Sequence, residues 1–447
     1  MQIGMMHETT MRERAHDTVR RALAAGAQQA AASAYQVRDV AVQWRDGKLE
    51  KVTEATSRGI GVDLYVDGRY ASVSTSDLRP DAVAEFLHNA VAMTRAIAAD
   101  PLRTLPEPHL YAGQAHVDLE LEDPRYDMLT AIERRKLAES LESAARDVPG
   151  AQHILSVTSS VSDNLAESYR VNSNGFEGAR RGTSYWLGAD VSVQDPDGRR
   201  PEEAAYAGDR FFASLPDAEA LGREAATRTL ARLGSQKGDS AVLTMAVDAR
   251  AAGRLVGALM GPLGAASLQQ KRSFYEGRLG EKIGSDCLDV ADDPLVPRGL
   301  ASRLFDGEGM AAKRFPVFEG GVLKTFYVDT YYGKKLGIAP TTARMSNLAW
   351  RLGNRDPAGL LADIGEGVLV TGFLGGNSNA TTGDFSLGVQ GFRIKGGQIA
   401  EPLAEMNISG NHLELWHHLV ATGNDPYAYS PLRTPTLVFE GVQFAGN

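Results

Sequence analysis

The sequence predicts an α+β protein in two parts: an N-terminal domain of antiparallel sheet with packed helices (residues 1–235) and a C-terminal domain, mainly antiparallel β and barrel-like (236–447). Three observations carry this expectation. Two Asp-Gly pairs, Asp46-Gly47 and Asp67-Gly68, each sit between alternating apolar runs, which marks hairpins because both turn positions need positive φ. Several segments instead carry apolar residues at helical spacing. Beyond Gly234-Ser235-Gln236-Lys237-Gly238, a linker by composition, the pattern becomes strand-rich.

Residues 11–33, rich in Ala, predict the first helix, and the hairpins around Asp46-Gly47 and Asp67-Gly68 follow. Residues 77–99 read as a helix with Pro80 in its first turn and Val83, Leu87, Ala90 and Val91 on one face. Residues 100–125, with four prolines, read as a crossing loop. A helix over 126–148 carries the charge run Glu133-Arg134-Arg135-Lys136, expected to face solvent. Residues 153–195 alternate long enough for three or four strands, with a turn at Asn174-Gly175, and a helix over 217–233 closes this half. The second half opens with a strand at 241–245 and a helix from the N-cap Asp248 to Met260, ended by Gly261-Pro262. Hairpins are expected at 315–328 around Gly320-Gly321 and at 391–403 around Gly396-Gly397, with further strands at 368–373, 405–408 and 437–444.

The chain has 447 residues, 43% hydrophobic and 23% charged, with 47 Gly, enough to bury substantial cores joined by many tight turns. Its formal net charge of −9 argues against direct nucleic-acid binding, which needs a positive field. Cys287 is the single cysteine, so a disulfide within one chain and a multi-thiolate zinc site are both excluded, and the cytoplasm is the expected compartment. The N-terminal stretch mixes Arg12, Arg14, Arg20 and Arg21 with acids instead of forming an apolar signal, and Met5, Met6 and Met11 are alternative starts. No segment is long and apolar enough to predict a membrane span.

The residues offer few catalytic constellations. His412, His417 and His418, with Glu414 among them, are the nearest approach to a metal cluster, but on a helix residues 412 and 417 lie about 140° apart, so a solvated helix competes with a metal site. No G-x-S-x-G elbow, dinucleotide fingerprint or Walker loop occurs. The glycine-rich stretch 372–378 either presents backbone N–H groups to a peptide or anion or is a plain loop. Arg250 and Arg254, one helical turn apart, either grip an anionic partner or face solvent balanced by Asp248.

Several segments resemble, in unbroken order from about residue 35 onward, the TldD/PmbA family. They are Arg58-Gly59-Ile60-Gly61-Val62 with Val66-Asp67-Gly68-Arg69, the run from Asp248 to Leu259, Ser302-Arg303-Leu304-Phe305-Asp306-Gly307-Glu308-Gly309, Gly383-Asp384-Phe385-Ser386, and the run from Ala404 to Asn411. The resemblance implies metallopeptidases, historically named modulators of DNA gyrase, in which a TldD-type chain carries H-E-x-x-x-H and a late cysteine as zinc ligands. A TldE (PmbA) chain pairs with it, and such pairs trim unfolded peptides. Here the matching positions read Ala249, Arg250 and Arg254 in place of His, Glu and His, and residues 410–447 hold no cysteine. Alanine and guanidinium cannot ligate zinc, nor can Arg250 serve as a general base.

The expectation is therefore a TldE-like, non-catalytic subunit, with no catalytic or metal residue of its own and no cofactor in this chain. Zinc is expected in the TldD-type partner, and the assembly is a heterodimer or a homodimer acting on extended peptides. Two alternatives stand beside it: a self-sufficient hydrolase built on His412, His417 or His418, and a gyrase- or nucleic-acid-associated factor.

Overall fold

The computed structural model describes residues 8–447. In its first half, α1 (Glu8–Ala24) leads into β1 (Gln29–Arg45), β2 (Lys48–Val66) and β3 (Arg69–Thr75). Then come α2 (Pro80–Thr94), α3 (Ala131–Arg146), β4 (Ile154–Asn172), β5 (Glu177–Val193), β6 (Glu202–Asp209) and α4 (Ala218–Leu230). The strands form one antiparallel sheet in the order β3-β2-β1-β4-β5-β6. Both Asp-Gly turns are as expected, with Asp46 and Gly47 at φ 47° and 76°, and the first is pinned by the buried Glu142 of α3, whose carboxylate accepts from Gly47 N–H at 2.9 Å.

All four helices lie on one face of this sheet. Helices α1 and α2 cover Ala32, Ala34, Ile60, Val62 and Leu64 at one end, while α3 and α4 cover Val42, Trp44, Val157, Val161, Leu187 and Val191 at the other. The two helices of the second pair approach so closely that a Cβ at Gly222 would collide with the Leu141 carbonyl. Among the described residues no helix lies over the opposite face. It carries Ser156, Thr158, Ser160, Ser162 and Asn164 of β4, half-exposed, beside Ala41 and Gln43 of β1. The outer part of β2, residues 48–58, is exposed along its whole length, and Lys48, Glu50, Lys51, Glu54 and Arg58 blunt it against edge-to-edge pairing.

The second half is built from β7 (Ala241–Val247), α5 (Ala249–Met260), α6 (Ala265–Gln269), β8 (Val290–Asp293), β9 (Phe315–Glu319), β10 (Val322–Leu323), α7 (Thr330–Leu336), β11 (Asn347–Trp350) and α8 (Pro357–Ala362). The chain continues through β12 (Glu366–Ser378), β13 (Asp384–Lys395), β14 (Gln398–Asn411), α9 (His412–Leu415), β15 (Leu419–Thr422) and β16 (Leu437–Ala445). A sheet in the order β14-β13-β12-β7-β16-β15 closes on itself where Asn407 and Ile408 of β14 pair with Ala445 and Phe444 of β16. Five strands thus form the barrel predicted from the sequence, with one parallel contact, β7 on β12. Its core holds Met245, Val247, Leu255, Val256, Leu259, Trp416, Phe439 and Phe444, fully or almost fully buried. A smaller sheet, β10-β9-β8-β11, packs against it.

Several boundaries differ from expectation for physical reasons. Gly26, at φ 108°, ends the first helix, and Ala30–Ala34 continue as strand because methyl-sized side chains let α1 and α2 sit close on the sheet. Residues 153–195 make two long strands, not three or four, since only Asn174-Gly175 supplies a turn. The charge run on α3 is not wholly solvated: Arg134 is buried and its guanidinium pairs with Asp163, Nη2 to Oδ1 at 2.9 Å. Between 261 and 365 strands do not dominate, and short elements are joined by long irregular stretches. Met5 and Met6 lie outside the described residues, whereas Met11 is buried in α1. Among the described residues no helix is long and apolar enough to cross a membrane.

Candidate functional site

Helix α5 starts where β7 leaves the barrel. Asp248 caps it, accepting from Arg250 N–H at 2.8 Å, and Ala252, Leu255, Val256 and Leu259 bury one face in the barrel core. Its first turn faces α4 and β6 of the N-terminal half. Arg250 pairs with Glu224 of α4 and lies over the Tyr427 ring, 5.8 Å from its centroid. Asp248 is 3.6 Å from Arg228, which together with Arg232 flanks Glu203 of β6. Burial raises the Glu203 carboxyl above its ordinary value, the two arginines oppose that shift, and Gln390 of β13 donates to it at 3.0 Å. A polar network thus joins the two halves, and the counterion of Arg250 is Glu224, not Asp248 as the sequence suggested.

Arg254, one turn on, donates to the Gly376 carbonyl at 3.2 Å. The glycine-rich stretch is therefore the end of β12, where a register irregularity between Leu374 and Asn377 leaves Gly375 and Gly376 exposed at positive φ. Ala249 is 8% exposed, and its carbonyl accepts from Thr434 Oγ1 at 2.7 Å. The late segment 427–434 lies over the start of α5, with Leu432 beside Gly253. The donor set here does not fit a zinc ion: a methyl group, two guanidiniums and a threonine hydroxyl offer neither imidazole nor thiolate, and the carboxylates of Asp248 and Glu224 are taken up by Arg250 and Arg228.

The three histidines do not converge. His412 is buried between Phe274 and Phe385, its Nε2 3.1 Å from Ser378 Oγ and its Nδ1 without a hydrogen-bond partner, and burial lowers its pKa to about 4. His417 and His418 are exposed in a separate 3₁₀ turn. The expected single helix is broken after Leu415 because Trp416 turns into the barrel core. Among the described residues no group of three or more His, Cys, Asp or Glu is placed to hold a metal. Cys287 is half-buried, with Sγ 3.3 Å from the Val420 carbonyl.

Sequence reasoning missed the arginines at the junction of the two halves. Arg210 donates to the carbonyls of Thr183 and Leu300, and Arg303 to those of Met345 and Arg344, while Arg180 reaches the carbonyl of Phe305. These residues are scattered over more than a hundred positions with no shared spacing, and although Arg303 lies in the Ser302–Gly309 segment, nothing in the sequence sets it beside Arg180 and Arg210.

Three family models match the chain in order: PmbA/TldA metallopeptidase domain 1 over residues 30–94, the central domain over 124–233 and the C-terminal domain over 240–446. Metalloprotease PmbA of Escherichia coli O157:H7 is 29% identical over 412 residues, covering 91% of this chain and 90% of that protein. A solved structure from Bacteroides thetaiotaomicron VPI-5482, which carries a DNA-gyrase-modulator name, is 37% identical with a TM-score of 0.95, covering 99% of this chain and all of that one. TldE from Thermococcus kodakarensis shares the fold, with a TM-score of 0.85 at 19% identity over 97% of this chain and 100% of its own. With all three domain models matched in order and both halves superposing on one solved chain, the protein belongs to the PmbA/TldD metallopeptidase family.

Proposed function

We propose that this chain is a TldE-like, non-catalytic subunit of a cytoplasmic, dimeric zinc metallopeptidase that trims unfolded peptides, and that the zinc is carried by an H-E-x-x-x-H partner. The observation that carries the reading is the first turn of α5. Ala249, Arg250 and Arg254 occupy the positions where the resemblance calls for two zinc-binding imidazoles and a general base, and both arginines are engaged in holding the fold together. A cationic guanidinium repels a metal ion and offers no lone pair to activate water.

What the chain contributes in this reading is shape. The helix-free face of the N-terminal sheet offers a run of short polar side chains along β4, a surface over which an extended polypeptide can pass. Gln390 on Glu203, Asp248 beside Arg228 and Arg250 on Glu224 tie that half to the barrel. A self-sufficient hydrolase on His412 is disfavoured, because its imidazole is sealed between two phenylalanines and far from His417 and His418 in exposure.

Zinc content and peptide cleavage by the purified, tag-free chain test the reading together. The expected result is well below one zinc per chain and no cleavage of an unstructured peptide until an H-E-x-x-x-H relative is added. About one tightly held zinc per chain, with hydrolysis by the chain alone, would overturn it.

A further inference from the structure

A cavity of about 580 Å³ opens at the junction of the two halves, bounded by the helix-free face of the N-terminal sheet, the crossing segment 117–122 and the C-terminal segment 302–305. Its size suits one or two amino-acid residues. The chain carries a net charge of −9, yet besides Arg181, which pairs with Glu122 and Glu167, three more guanidiniums line this space, those of Arg180, Arg210 and Arg303. Their hydrogen bonds among the described residues go to neutral oxygens. Arg210 and Arg303 spend theirs stapling strands and loops together. Arg303 Nε is buried with no hydrogen-bond partner.

Arg180 differs from both. It uses one nitrogen on the Phe305 carbonyl and lies over the Phe305 ring, 4.4 Å from its centroid, which leaves its remaining N–H groups toward the cavity. The guanidinium meets water inside the cavity but is ringed by protein atoms. That enclosure, with the nearby charge of Arg303, lowers its pKa to about 10. Of the acids on the same wall, Glu167 and Glu122 both pair with Arg181, and Asp118 accepts from the Glu120 backbone N–H at 2.8 Å. Beside Arg180 the lining is apolar, with Val37, Leu119 and Leu121.

We propose that this cavity receives the terminal carboxylate of a peptide, with the Arg180 guanidinium as anchor and Val37, Leu119 and Leu121 around the last side chain. A planar fork of N–H donors matches a carboxylate's two oxygens, and partial desolvation strengthens the pair. The choice of a peptide rests on the peptidase-family reading above. The carboxylate rests on the arginines alone.

The test titrates the full chain with N-acetyl-leucine, N-acetyl-leucinamide, and N-acetyl-aspartic acid amidated at its α-carboxyl, following binding by calorimetry and ligand-observed NMR. The expected result is binding of N-acetyl-leucine at least about tenfold tighter than its amide, since a charge-assisted hydrogen bond is lost with the carboxylate. That preference should vanish in Arg180→Gln and persist, weakened, in Arg180→Lys, with thermal melts confirming that both variants fold. Equal affinity for acid and amide, no binding of N-acetyl-leucine, tighter binding of the aspartyl compound, or an unchanged preference in Arg180→Gln would each overturn the proposal. Zinc in the isolated chain would sink the subunit reading without touching this result, so the two failures are distinguishable.

Discussion

Protonating His412 should cost the barrel stability in a defined pH window. The ring lies between Phe274 and Phe385, with Ser378 Oγ as its hydrogen-bond partner at 3.1 Å, and burial lowers its pKa from 6.5 to about 4. The folded state therefore binds this proton less readily than the unfolded chain, so the stabilising contribution is complete above pH 6.5 and is lost as the pH falls toward 4. At 1.36 kcal/mol per pKa unit the full loss is about 3 kcal/mol, of which about 2 kcal/mol falls between pH 7.5 and 5.0. The comparison is with His412→Gln, which stays neutral and can still hydrogen-bond Ser378. Urea unfolding at both pH values cancels the titration of the other groups that the two proteins share. The wild type should lose about 2 kcal/mol more than the variant over this interval. Parallel pH dependence in the two proteins would refute the argument that the buried imidazole is neutral and hard to charge.

Arg134→Met should destabilise the N-terminal half by about 3–5 kcal/mol, because it leaves the buried Asp163 carboxylate without its partner, and adding Asp163→Leu should recover much of the loss in chemical denaturation. Gly222→Ala sets two effects against each other. Helix propensity favours alanine by about 1 kcal/mol, but the new Cβ meets the Leu141 backbone, which cannot swing away as a side chain would. Overpacking of this kind costs about 1–3 kcal/mol, so the midpoint of thermal unfolding should fall, and a rise would show that α3 and α4 are less tightly apposed than described.

Much of the fold was legible because turns and caps depend on local chemistry. Asp46-Gly47, Asp67-Gly68 and Asn174-Gly175 each mark a hairpin, and Asp248 caps α5 as its position suggests. Ala30–Ala34 misled because alanine's helix propensity points one way and tertiary packing decided the other. Alternation along residues 153–195 gave the right class but no count, since a 19-residue strand and several shorter ones share the same period. The replaced positions 249, 250 and 254 could be read from the sequence, but the partners Glu224 and Gly376 could not, because they are brought in by other elements. The same holds for Arg134. Its neighbours in sequence are solvated acids and bases, and only the fold sets it against Asp163.

The barrel's closure also sets an order of events during synthesis. Strand β7 is flanked by β12 on one side and β16 on the other, so the sheet made early in the second half waits for a stave translated roughly 200 residues later. At about 5–20 residues per second that delay is on the order of 10–40 s. The N-terminal sheet, whose strands and helices are all complete before β7 begins, can fold in that interval. Until β16 emerges, however, the apolar edge of β7 has no neighbour on one side, and nascent chains stalled there would be the ones most in need of a chaperone.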